Sequence, residues 1–253
     1  MILASLLLAA VMAAQQPPTV LQGIGIDQRL GEQVPMNLVF RDEAGKPVRF
    51  GDLVGGKPTV LSLVYYRCPM LCTLVLNGMV RSFRTLTFSA GREFNVISVS
   101  FDPRETPALA AAKKQTMMQE YRRDGDWHFL TGDEASIRQL ADAVGFRYAY
   151  DPQTKQFAHA AGIMVLTPQG KVSRYFYGVE YSARDLRLAL IEASSGKIGS
   201  VVDQILLYCF HYDPVSGKYG LLITRVVRIA GVLTVLVLGG VIALLLRREK
   251  QRA

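Results

Sequence analysis

The sequence predicts an α/β domain, a mixed sheet flanked by helices, with a transmembrane helix at its C-terminal end. Three observations lead there. Apolar, β-rich runs alternate with helical patterns through the middle of the chain. Two hairpin patterns add antiparallel strands to these. An uncharged apolar run lies just before the last few residues.

Taken in order, PMNLVFRDEAGKPVRF (35–50) reads as a hairpin turning at AGKP. KPTVLSLVYY (57–66) is apolar almost throughout, the mark of a strand covered on both faces. Leu71, Val75, Met79, Phe83 and Leu86 then make one helical stripe. FNVISVSF (94–101) is a second interior strand, and TPALAAAKKQTMMQEYRR (106–123) a helix with Thr106 as cap and Pro107 at its first position. WHFLTG (127–132) is a short strand and DEASIRQLADAVGF (133–146) a helix. AGIMVLTPQGKVSRYFYG (161–178) is a hairpin around TPQG, and SARDLRLALIEASSGK (182–197) the last helix of the domain.

The two ends set the compartment. MILASLLLAAVMAAQQPPT is apolar, ends in small residues and runs into a polar stretch, so residues 1–14 are expected to be a signal peptide cleaved near Ala13 or Ala14. IAGVLTVLVLGGVIALLL (229–246) carries no charge and is about as long as a membrane helix. Arg247, Arg248, Lys250 and Arg252 follow it and hold the tail 247–253 in the cytoplasm by the positive-inside rule. The body of the chain is therefore expected on the periplasmic side of a bacterial-type cell membrane. The net charge of +8 is diffuse, and no basic stripe interleaved with aromatics occurs. Nucleic-acid binding is excluded.

The chemistry collects at YYRCPMLCTLV (65–75), where the first interior strand gives way to a helix. The mouth of an open α/β sheet is where such folds place their sites. Pro69 suits the first turn of a helix, which makes Cys68 the expected cap and places Cys72 one turn in. A thiol there sees the positive helix end and unpaired N–H groups, both of which favour thiolate. Residues four apart on a helix hold their Cβ atoms about 5–6 Å apart, wider than a relaxed disulfide wants, so a bond between them is expected to be strained and easily reduced. Two soft sulfurs on one face also suit Cu(I) or Zn, but lack a third donor. Disulfide pair, redox couple, metal grip and two buried side chains all stay open on these residues alone.

YYRCPMLC, SFDPRETP (100–107) and His159 in QFAHAAGIMVLTPQGK together resemble the motifs of the Sco/SenC family, over about residues 20 to 196. The resemblance implies a membrane-tethered, thioredoxin-like copper chaperone that helps to build the dinuclear copper centre of cytochrome c oxidase subunit II, or of a related copper-site apoprotein. By that likeness Cys68, Cys72 and His159 hold one copper ion. A second reading keeps Cys68 and Cys72 as catalytic thiols of a thiol–disulfide oxidoreductase that reduces the cysteines of its target; a third is a redox sensor without cargo. The chain departs from the family pattern at Met70 and Thr73, where an acidic residue and a proline are common, at Ala158, where many members have Asp, and in carrying its anchor at the C-terminus. Asp102 is not assigned to the site. His128 is expected in the core, and Met117 and Met118 in packing; Met70 is the one methionine kept open as a ligand.

YCFHYDPVSGKYG (208–220) in the juxtamembrane segment 197–228 is not explained by the resemblance. Cys209 and His211 form either an auxiliary copper or thiol site, or part of an interfacial aromatic belt with Tyr208, Phe210, Tyr212 and Tyr219.

Overall fold

The structure is a computed structural model that describes residues 23–197 continuously, with 212–213, 218–219, 231–236, 238–240 and 247 beyond them. Its elements are β1 (Gly25–Ile26), β2 (Val39–Arg41), β3 (Pro47–Arg49), α1 (Phe50–Val54), β4 (Thr59–Val64), α2 (Leu71–Thr85), β5 (Asn95–Ser100), α3 (Pro107–Tyr121), β6 (His128–Leu130), α4 (Glu134–Ala143), β7 (Phe146–Asp151), β8 (Gln156–His159), β9 (Gly162–Leu166), β10 (Val172–Tyr177), α5 (Ala183–Ser194), β11 (Tyr212–Asp213) and β12 (Lys218–Tyr219).

Five strands form the main sheet in the order β10-β9-β4-β5-β6. β4, β5 and β6 run parallel, while β9 pairs antiparallel with β4 and with β10. This is the mixed, thioredoxin-like sheet expected from the sequence. The apolar runs predicted as interior strands are buried at every residue of β4 and at all but Asn95 of β5. Parallel strands need long crossovers, and the chain supplies them as α2 and α3. α2 packs against α3 and α5; α3 also covers β6, and α5 covers β9 and β10. The predicted stripe is what makes this possible: Val75, Met79 and Phe83 of α2 are at most 1% exposed.

Both predicted hairpins are present. Asp42 closes the β2–β3 turn, its carboxylate accepting the amides of Ala44 and Lys46. The TPQG turn joins β9 to β10, with the Gly170 amide donating to the Thr167 carbonyl. Thr106 does cap α3 by position, although its hydroxyl makes no capping bond. Asp133 and Ser182 cap α4 and α5 through their side chains.

The structure adds a hairpin that the sequence reading passed over. β7 and β8 pair antiparallel, with Tyr148 opposite His159 and Tyr150 opposite Phe157, and β1 joins them in a small three-stranded sheet. The available signal was the alternation of Phe146, Tyr148 and Tyr150, although burial along β7 is only partial. One assignment is corrected, and one holds. His128 is not a core residue: β6 ends the main sheet, and the imidazole, 26% exposed, lies 3.6 Å from a carboxylate oxygen of Asp126. Met117 is buried and Met118 partly buried against the core, both as packing.

The chain divides into two compact units, Met1–Gly199 and Ser200–Ala253. In the second, β11 and β12 form a short antiparallel ladder. Among the described residues no helix is long and apolar enough to cross a membrane. Of the predicted span 229–246, residues 231–236 and 238–240 are described; they are helical and exposed. The predicted signal peptide 1–14, Cys209 and His211 lie outside the described residues.

Candidate metal centre

Cys68 and Cys72 lie at the mouth of the main sheet, between the end of β4 at Val64 and the first turn of α2. The helix starts later than the sequence suggested. Leu71 is its first residue and Met70 its cap, with φ −141° and ψ −76°, so neither Cys68 nor Pro69 belongs to the helix. The capping role expected of Cys68 survives in another form: its Sγ accepts the amide of Cys72 at 3.3 Å, inside the first turn. Met70 contributes no side-chain cap and is 68% exposed.

Because Cys68 precedes the helix, the helical Cβ spacing does not govern the pair. Both cysteines are free, and both are buried, at 8% and 1% exposure. Each sulfur is tied to the far side of the same loop. Cys68 Sγ takes the Cys72 amide, and Cys72 Sγ takes the Tyr65 amide at 3.3 Å. The Cys68 amide in turn donates to the Tyr65 carbonyl, which tightens the loop.

The third donor comes from a distant part of the chain. β8 ends on His159, and its Nε2 lies 3.2 Å from Cys72 Sγ. Nδ1 lies 2.9 Å from the Ala160 carbonyl, which can only accept, so Nδ1 carries the proton and the Nε2 lone pair faces the sulfurs. A backbone carbonyl thus takes the orienting role that an acidic neighbour at Ala158 would otherwise serve. Aromatic rings wall the imidazole: Phe101 at 5.1 Å, Tyr65 at 6.0 Å and Phe146 at 6.1 Å between centroids. One ligand atom each from Cys68, Cys72 and His159 lies within 4.8 Å of the others, and among the described residues this is the one such group.

Electrostatics separates the two thiols. Cys68 is held far below the usual thiol range, first by the hydrogen bond from Cys72 and then by the amides of Cys72 and Met70, against the opposing effect of burial. Cys72 is pushed far up, first by burial and then by the hydrogen bond to Cys68. The Tyr65 hydroxyl is raised by burial and then by the Cys68 sulfur beside it, so it stays a donor.

A model of the family described as SCO1/SenC matches residues 27–192, which contain all three donors. The chain belongs to the SCO1/SenC family. No curated protein sequence matches it. Among solved structures, a putative electron transfer protein from Aquifex aeolicus is 26% identical, with a TM-score of 0.59 over 67% of this chain and 96% of that one. ScoI of Arabidopsis thaliana, solved with copper bound, is 17% identical, with a TM-score of 0.52 over 63% and 96%. ScoI of Bradyrhizobium japonicum, also copper-bound, is 23% identical, with a TM-score of 0.50 over 62% and 96%. These last two share the fold of this SCO1/SenC chain.

Sequence reasoning missed the residue that braces the cysteine loop. Glu105 is buried, and its two oxygens accept the amides of Tyr66 and Arg67, each at 2.7 Å, and the Ser100 hydroxyl at 2.6 Å. SFDPRETP was the available signal; its other carboxylate, Asp102, pairs instead with Arg104. Both Glu105 oxygens act as acceptors, so Glu105→Gln must turn an NH2 group toward a donor. We expect that change to cost about 1–3 kcal/mol, the penalty for an unsatisfied buried donor. Its denaturation midpoint should fall accordingly; an unchanged midpoint would show that the loop does not depend on this carboxylate.

Proposed function

We propose that this chain is a membrane-anchored, extracytoplasmic copper protein that delivers its ion during cytochrome c oxidase assembly. Cys68, Cys72 and His159 hold the ion, and the recipient is subunit II or a related copper-site apoprotein. The observation that carries this reading is the convergence, within 4.8 Å of one another, of two buried sulfurs and an imidazole nitrogen turned toward them. That donor set suits soft Cu(I). Family membership supports it, as does the copper bound in the two ScoI structures of similar fold. Titration of the reduced intact chain with Cu(I) against a competing chelator should end at about one equivalent; uptake no greater than that of a variant lacking both cysteines overturns the reading.

The unequal thiols favour a second reading, a thiol–disulfide oxidoreductase. The Cys68 thiolate attacks one sulfur of a target disulfide and displaces the other as a thiolate. Cys72 then loses its proton and attacks Cys68 Sγ, releasing the second target sulfur. The target gains two electrons and becomes a dithiol, while Cys68 and Cys72 become a disulfide. This route does not need His159.

Anchoring rests on the apolar run 229–246 and the basic residues after it. Reporter fusions after residue 200 and after Ala253 should read out opposite compartments, and the same compartment for both ends this part of the proposal.

A further inference from the structure

The metal donors sit on two separate pieces of chain, the loop after β4 with the first turn of α2, and the β7–β8 hairpin. One short segment after β5 touches both. Phe101 packs against His159 at 5.1 Å and against Phe157 at 5.5 Å. Glu105 grips the amides of Tyr66 and Arg67 just ahead of Cys68. Between them, Arg104 reaches outward over the hairpin, its guanidinium carbon 4.9 Å from the centre of the Tyr150 ring and 5.4 Å from that of Phe157.

Tyr150 and Phe157 are a cross-strand pair, directly opposite in register. Phe157 lies two residues before His159 on β8, so the two side chains share a face. Across from that face, Tyr65 touches both rings. Arg104 is itself aimed from behind. Its Nε and Nη2 donate to the two oxygens of Asp102 at 2.7 and 2.8 Å, and Asp102 is 4% exposed. A fork held by a buried carboxylate has little freedom to leave the rings it covers.

We propose that Arg104 and Glu105 are positioning residues that clamp the histidine hairpin and the cysteine loop to one segment, setting how His159 meets the two sulfurs. Arg104 acts through Tyr150 and Phe157, and Glu105 through the backbone ahead of Cys68. Neither is a metal ligand. The consequence for copper rests on the function proposed above, whereas the clamp itself does not.

Two measurements on the intact, reduced chain test this. In the metal-free protein, Arg104→Ala should speed amide hydrogen exchange across residues 146–159 by about tenfold, in line with loss of two cation–π contacts and their support. Exchange in 59–64 and 95–100 should be unchanged. Arg104→Lys keeps the charge without the planar fork and should fall between wild type and Arg104→Ala. Unchanged exchange in the hairpin overturns the clamp, and so does an increase spread evenly over the chain. The second measurement is a Cu(I)-affinity cycle of Arg104→Ala with His159→Ala. Arg104→Ala should loosen copper where His159 is present and have no effect where it is absent; an equal loss in both backgrounds overturns a role through His159. If wild type itself takes up no copper, the proposed cargo is wrong, and the exchange result alone upholds or overturns the clamp.

Discussion

His159→Ala should weaken Cu(I) binding by at least about 10–100-fold, the range set by loss of even an outer partner of a metal ligand. Cys68→Ser or Cys72→Ser should abolish tight binding, because one sulfur and one imidazole leave a soft ion short of the donors it prefers. The imidazole is ready to bind, since its Nδ1 is committed to the Ala160 carbonyl and Nε2 already faces Cys72. Proton release should be unusual as well. Two ordinary thiols give up two protons to a metal near neutral pH, but Cys68 is shifted toward the thiolate here. About one proton per ion should appear, supplied by Cys72. Affinity should therefore fall as pH drops, because that proton competes with the ion. Competition titrations of each variant, with proton release read in a weakly buffered sample, measure both effects. If His159→Ala binds as tightly as wild type, the three-donor site is wrong and the oxidoreductase reading moves ahead.

Cys68 should react with a small alkylating agent at a rate nearly independent of pH between about 6 and 8, whereas an ordinary thiol slows about tenfold for each unit below its pKa. Cys72 should stay unmodified under the same conditions, being almost wholly buried and protonated. The largest influence on Cys68 is the hydrogen bond from Cys72, so Cys72→Ala should restore an ordinary pH dependence. Stability follows the same shift. Cys68 has a folded pKa below its unfolded value, so its contribution is fully present above the unfolded pKa, about 8.5, and is lost as pH falls through the folded one. Cys72 is shifted the other way, so it destabilises the fold as pH rises above that same unfolded value. Mass mapping of alkylated sites across pH separates the two thiols; equal labelling of both at neutral pH would overturn the assignment.

Strands and helices were legible in the residues wherever a face had to be buried. KPTVLSLVYY had no polar face to show to water, and the Val75–Met79–Phe83 stripe left α2 a single way to pack. The AGKP and TPQG turns were local chemistry and equally legible. So were Cys68 and Cys72 as a pair, and, through the family resemblance, His159 as their partner. What tertiary structure alone decided was local detail under long-range control. Met70 rather than Cys68 became the helix cap, because the Cys68 sulfur turned back to take the Cys72 amide. The β7–β8 hairpin was legible only in part: Phe146, Tyr148 and Tyr150 alternate, but the strands are short and half-buried, and their pairing with QFAH is set by the fold. Glu105 was silent for the same kind of reason: a carboxylate in a loop reads as solvated until the fold brings the amides of Tyr66 and Arg67 against it. The unequal protonation of the thiols also arose in three dimensions, from burial and from the hydrogen bond that the fold sets between the two sulfurs. Periodicity and turn chemistry act over a few residues and are written in them; hydrogen bonds and charge in a low-dielectric pocket depend on whatever the fold closes over them.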